Sequence, residues 1–224
     1  MVRRGLCFDL DGTLIDSGKE GLRRVIKIAR TRNLPITPEI EHRIRNMWGT
    51  EPFKLLRTIW PDEDPQAFSQ EWEKLDIVEP LPAFPGTREA LEKLHPHFSM
   101  SIVTNRHPKT ILAQLIHNSI AEFFGQIITP AYNGHKKPEP EIMDPIFEKY
   151  RADGIGRDKI ILVGDTIEGD WKLAQAVGIQ FYAVTSRDID TLEKFLAVGV
   201  PQEHILDSVA DLPDKLLGSP AHLF

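Results

Sequence analysis

Short runs of consecutive apolar residues, each closed by a polar or turn residue, recur along the chain. They are Gly5–Phe8, Met100–Val103, Gln126–Ile128, Ile160–Val163 and Ile179–Val184. None alternates apolar with polar positions, which is the signature of strands covered on both faces. Between them, apolar residues recur at three- and four-residue spacing. Ile111, Leu112, Leu115 and Ile116 make one such set; Ile142, Ile146, Phe147 and Tyr150 make another; Leu173, Ala174, Ala176 and Val177 make a third. Strand and helix patterns in alternation predict an α/β fold on a doubly wound parallel sheet.

One segment breaks the alternation. From Ser17 to Ala83 the pattern is helical throughout, with apolar stripes at Leu22, Val25, Ile26 and Ala29, at Ile40, Ile44 and Met47, at Phe53, Leu56 and Trp60, and at Phe68, Trp72 and Leu75. Pro35, Pro38, Pro61 and Pro65 separate the stripes, and the Pro-rich stretch 79–86 cannot continue a helix, so it reads as a return linker. The organisation predicted is an α/β core of residues 1–16 and 84–224, interrupted by a small all-helical domain at 17–83. Lys19, Arg23 and Arg24 in its first stripe read as solvent-facing charges.

Composition narrows the classes. The 224 residues are 41% hydrophobic and 27% charged, a globular balance, with 27 Lys plus Arg against 33 Asp plus Glu and a formal net charge of −6. No basic excess or stripe exists to serve nucleic acid. The apolar stretch Leu6–Phe8 is stopped by Asp9, too short for a secretory signal, and no run approaches the roughly 20 residues of a membrane span. With the single cysteine, Cys7, unable to form an internal disulfide, the expectation is a reduced, cytoplasmic protein whose Cys7 packs inside a strand. Gly154-Ile155-Gly156 follows a helix pattern instead of opening one after a strand, which excludes a dinucleotide fingerprint.

The first strand runs into Asp9-Leu10-Asp11-Gly12-Thr13-Leu14. Carboxylates two residues apart on an extended chain project to one side, and like charges so placed imply a cation between them or a functional need. Thr104-Asn105 closes the second strand, and Gly164-Asp165 closes a later one, with Asp170 at the start of the next helix. In parallel α/β sheets the ligand crevice lies outside the carboxyl ends of the strands, so these polar termini converge. Lys136-Lys137-Pro138-Glu139-Pro140 precedes a helix from which a lysine can reach back.

These stretches, in this order, resemble the haloacid dehalogenase-like hydrolases, in particular the phosphatases whose helical cap is inserted after the first motif. The matching segments are Phe8–Ser17, Thr104-Asn105, Lys137-Pro138-Glu139-Pro140 and Gly164-Asp165-Thr166 with Asp170, and Phe84-Pro85-Gly86 looks like the return from cap to core. The resemblance implies a Rossmann-like core with a helical cap and a Mg2+-dependent hydrolase of small phosphorylated metabolites. It makes Asp9 the nucleophile that forms an aspartyl-phosphate, and Asp11 the acid and base. Thr104, the Asn105 amide and Lys137 would hold phosphate; Asp9, the Asp11 carbonyl, Asp165 and Asp170 would hold Mg2+, an oxygen-only set suited to that ion.

Three departures accompany it. The lysine is doubled, and the Lys-Pro-x-Pro pattern selects Lys137 over Lys136. The second acid of the last motif lies five positions after Asp165 where four is commonest, so Glu168 competes with Asp170. Arg106, after Thr104-Asn105, reads as an exposed charge at a helix start, with contact to substrate as the alternative. In the cap, Arg45, Trp48 and Gly49 are candidates for substrate specificity, with a phosphoglycolate phosphatase-like cap as the lean. A sugar-phosphate mutase shares every core motif, and a non-catalytic phosphate- and Mg2+-binding relative is the alternative of another class.

Overall fold

The computed structural model describes residues 4–47, 52–185 and 190–218. Strand β1 (Arg4–Phe8) leads into four helices, α1 (Gly18–Thr31), α2 (Pro38–Asn46), α3 (Pro52–Ile59) and α4 (Pro65–Val78). Helix α5 (Thr87–Leu94) then precedes β2 (Phe98–Val103), α6 (Pro108–His117), β3 (Gln126–Ile128), α7 (Pro130–Asn133) and α8 (Asp144–Ala152). The chain closes with β4 (Ile160–Gly164), a π-helical turn at Ile167–Trp171, α9 (Lys172–Val177), β5 (Gln180–Val184), α10 (Leu192–Ala197), β6 (Ile205–Leu206) and α11 (Leu212–Leu217).

All strand pairs are parallel, in the order β3-β2-β1-β4-β5-β6. The order reverses at β1, which lies between β2 and β4, and that reversal opens a crevice at the strands' carboxyl ends. Leu6, Cys7 and Phe8 are fully buried, as the unbroken apolar runs demand. Cys7, Leu162, Phe181 and Ala183 join one core cluster with Ile146 and Tyr150 of α8, one side of the sheet being supplied by alternate strand residues. β6 is only two residues long, too short to leave a periodic signal in the sequence. On α6, Ile111 and Leu115 are buried while Leu112 and Ile116 face outward, so only half of that apolar set is core.

Cys7 has no route to solvent, and burial pushes its thiol up to about 12. It should therefore be silent toward Ellman's reagent at about pH 8 and react stoichiometrically after unfolding in guanidinium. Rapid reaction of the native protein would contradict the packed-strand placement.

The chain separates into two units, one holding the residues up to Asp16 and from Pro82 onward, the other Ser17–Leu81. The return falls two residues before the position read from the sequence. Pro82 and Ala83 are tied to the exit of β1: the Asp16 amide donates to the Pro82 carbonyl at 2.9 Å, the Phe84 amide to Leu14 at 3.0 Å, and Ile15 bridges Ala83.

Within Ser17–Leu81, two helix starts, those of α2 and α4, carry a capping side chain. Thr37 caps α2 by accepting from the Ile40 amide, Asp64 caps α4 by accepting from Gln66, and proline occupies the first turn of both. Leu22, Val25, Ile28 and Ala29 of α1 pack with Ile44, Leu55, Leu56, Ile59, Trp60 and Phe68 into the unit's own core. Arg24 departs from the expectation of a solvent-facing charge. It lies 3% exposed beside Asp76, itself 1% exposed, and pairs with that carboxylate and with the Glu79 carbonyl. Helical spacing places Arg24 on the edge of the buried stripe, and its partner lies a whole helix hairpin away in sequence, which no local pattern reveals.

Candidate active site

Asp9 follows β1 directly, and its amide donates to the Val163 carbonyl at 2.9 Å, which keeps it in the plane of the sheet beside β4. The chain then folds into a tight loop in which the Leu14 and Ile15 amides donate to Leu10 and the Gly12 amide to Ile15. Gly12 takes a φ of +87°, the region that glycine occupies without a side-chain clash. At the end of β4, a Cβ on Gly164 would fall 2.4 Å from the Asp170 Cγ, so only glycine lets that carboxylate reach the crevice.

The crevice gathers three carboxylates from distant parts of the chain. One oxygen each of Asp9, Asp165 and Asp170 lies within 4.8 Å of the others, and all three residues are buried. Lys137 is buried with them, its Nζ 2.6 Å from Asp9 Oδ1 and 2.6 Å from Asp170 Oδ1. Burial pushes the Asp9 carboxyl up to about 6, against the pull of the Lys137 charge, with Asp170 adding to the rise. For Lys137 burial acts downward, but the charges of Asp170 and Asp9 outweigh it and hold the ammonium above its ordinary range. Three buried acids around one ammonium leave a local negative excess, in an all-oxygen donor set that fits a hard divalent cation.

The five-residue spacing from Asp165 to Asp170 has a structural reason. The π-helical turn, with the Trp171 amide donating to Thr166 at 3.1 Å, takes up the additional residue and returns Asp170 to the site. Asp170 accepts from the Thr166 amide at 3.1 Å and from the Thr166 hydroxyl at 2.6 Å. Glu168 points outward, its side chain 81% exposed and paired with Lys172. Between the two candidates, the cluster contains Asp170.

Thr104 is buried at the end of β2, where its hydroxyl accepts from the Arg106 amide at 3.1 Å. The Asn105 carboxamide reaches across to the Lys137 backbone, donating to its carbonyl at 3.1 Å and accepting from its amide at 2.8 Å. Asn105 thus anchors the segment that delivers Lys137, a part the motif reading did not give it. Lys136 is exposed. Asp11 meets Arg106, whose Nη1 lies 2.5 Å from Asp11 Oδ1; the expected exposed helix-start arginine has a side chain only 9% exposed.

Two other contacts escaped the sequence reading although their residues stood inside quoted motifs. The Thr13 hydroxyl donates to Asp165 at 3.3 Å, and Thr166 serves Asp170 as above. Asp190, which no motif marks, accepts from the Ile167 amide at 2.8 Å and caps the turn that carries Asp170. Of the specificity candidates, Arg45 is exposed on α2 in the helical unit. Trp48 and Gly49 lie outside the described residues.

Fold and site together define a doubly wound α/β protein with an acidic crevice at its topological switch point. The chain belongs to the haloacid dehalogenase-like hydrolases, whose family model matches residues 6–184. Among curated relatives it is 26% identical over 192 residues to the phosphoglycolate phosphatase of Aliivibrio fischeri, covering 80% of this chain and 83% of that one. With the phosphoglycolate phosphatase of Rhodobacter capsulatus the identity is 29% over 190 residues, at the same coverage. A haloacid dehalogenase-superfamily hydrolase from Geobacter sulfurreducens shares the fold with a TM-score of 0.72 and 21% identity, over 97% of each chain.

Proposed function

We propose that the protein is a Mg2+-dependent phosphatase of small phosphomonoesters that works through a phosphorylated Asp9. The observation that carries this reading is the buried juxtaposition of Asp9 with Lys137, Asp165 and Asp170 at the carboxyl ends of β1 and β4. The phosphatase relatives support the same reaction class.

In this reading an Asp9 oxygen attacks phosphorus while the ester P–O bond breaks, and Asp11 gives its proton to the departing oxygen. Water then attacks the aspartyl-phosphate and loses a proton to Asp11, which releases inorganic phosphate and restores both carboxyls. Lys137 neutralises Asp9 and the incoming phosphate together, with the Thr104 hydroxyl and the Asn105 amide holding phosphoryl oxygens. Asp9, Asp165 and Asp170, with the Asp11 carbonyl, would hold Mg2+, which supplies charge stabilisation for the phosphoryl group when bound. Arg45, Trp48 and Gly49 are proposed as determinants of substrate specificity, and the relatives' substrate makes 2-phosphoglycolate the first compound to test.

The test is phosphate release from p-nitrophenyl phosphate and from a phosphorylated-metabolite panel that includes 2-phosphoglycolate, with Mg2+ and with EDTA. Turnover is expected with Mg2+ only, together with a rise in melting temperature on adding Mg2+; at a hundredfold excess over Kd the stabilisation is about 2.7 kcal/mol. Mg2+ binding without turnover on any compound would point to a non-catalytic relative. Isomerised sugar phosphate without inorganic phosphate would mark a mutase.

A further inference from the structure

We propose that Arg106 is a positioning residue for Asp11, fixing where that carboxyl meets the leaving oxygen. The inference rests on the reading of Asp11 as the proton donor. It is carried by the way the arginine is held. Nη1 lies 2.5 Å from Asp11 Oδ1, and Nε donates to the Thr110 hydroxyl at 2.9 Å. That hydroxyl spends its own proton on the His107 carbonyl at 3.2 Å, so what it offers Arg106 is an acceptor in a set direction. Thr110 is buried at 1% exposure, and the Arg106 amide is tied to Thr104.

The exposures are graded along this chain of contacts. The Arg106 side chain is 9% exposed and the Asp11 side chain 27%, so the anchor lies inside and the carboxyl reaches outward. Arg106 and Thr110 belong to the segment after β2, Asp11 to the loop after β1, and these strands are adjacent, with Phe8 opposite Ile102. The contact therefore ties two neighbouring strand ends. A planar guanidinium held at two points of its fork has little rotamer freedom left, and it passes that restriction to the carboxylate it binds.

Such an arrangement matters only where proton delivery does. An alkyl phosphate must expel a basic alkoxide and needs its proton in place, whereas p-nitrophenolate leaves as a stable anion. A misplacement of about 1 Å can cost on the order of a hundredfold in rate. Loss of the Arg106 contact should accordingly fall on alkyl esters and spare the aryl ester, a split that a general loss of structure does not produce.

The experiment compares kcat/KM for wild type, Arg106→Gln, Thr110→Val and Thr110→Ser, with Mg2+, on p-nitrophenyl phosphate and on an alkyl phosphomonoester that the wild type hydrolyses. Arg106→Gln is expected to lose roughly ten- to a hundredfold on the alkyl ester and less than about threefold on the aryl ester. Thr110→Val should shift the ratio in the same sense by a smaller factor, and Thr110→Ser, which keeps the hydroxyl, should restore it. Equal losses on both esters, an unchanged ratio or a gain on the alkyl ester would overturn the proposal. If Arg106→Gln does not fold, the near-isosteric Thr110→Val and Thr110→Ser pair decides it alone. A wild type inactive on both esters overturns the phosphatase reading and this inference with it; an active wild type with an unmoved ratio overturns this inference only.

Discussion

Asp9→Asn is expected to reduce phosphomonoester turnover by at least about a thousandfold while leaving the protein folded. Asparagine keeps the shape of the side chain and an oxygen to accept from Lys137, which sits 2.6 Å from Asp9 Oδ1. It removes the charge that attacks phosphorus. Burial pushes the Asp9 carboxyl up to about 6 from an ordinary value of 3.8, so the metal-free folded protein binds this proton more tightly than the unfolded chain does. The Asp9 contribution to stability is thus fully present below about pH 4 and is lost as the pH rises through 6. Chemical denaturation of the two metal-free proteins across that range should show wild type losing stability relative to Asp9→Asn. Retained turnover in Asp9→Asn would remove Asp9 from the nucleophile's place, and a variant unfolded at every pH would show that its charge is structural.

The second large effect belongs to Ser17–Leu81. Asp76→Ala is expected to destabilise the full-length protein by about 3–5 kcal/mol, because it strands the Arg24 guanidinium in a buried position. Asp76 also accepts from the Trp72 indole at 3.1 Å, so the substitution takes the partner of two donors at once. The Arg24 Nε already lacks a partner in the structure. Replacing both charges together, as Arg24→Met with Asp76→Leu, should recover most of the loss, since apolar residues of similar volume need no compensation there. Urea titrations of the single and double variants measure this. A single variant within about 0.5 kcal/mol of wild type would mean that water reaches Arg24.

The legible parts of the molecule are those with local causes. Continuous apolar runs such as Ile160–Val163 mark strands covered on both faces, and prolines at 38 and 65 mark helix starts, because burial and backbone geometry act over a few residues. The first-strand run likewise placed Asp9 at a strand end, while its proposed role and the choice of Lys137 over Lys136 came from the family resemblance and its Lys-Pro-x-Pro pattern. Arg24 and Arg106 failed for the opposite reason. Each is an arginine on a helix or at its start, a position that solvated charges usually fill, and each has its carboxylate partner 52 or 95 positions away.

By itself, then, the sequence determined the α/β class, the helical segment after β1, and which residue types stand at the strand ends, because each rests on near-neighbour periodicity. The tertiary structure decided the rest. The strand order, with β1 between β2 and β4, brings Asp9, Lys137, Asp165 and Asp170 into one buried cluster. The π-helical turn chose Asp170 over Glu168 by rotating one inward and the other to solvent. Partner choice between charges is set by which strands become neighbours, and that depends on the whole chain closing around its core.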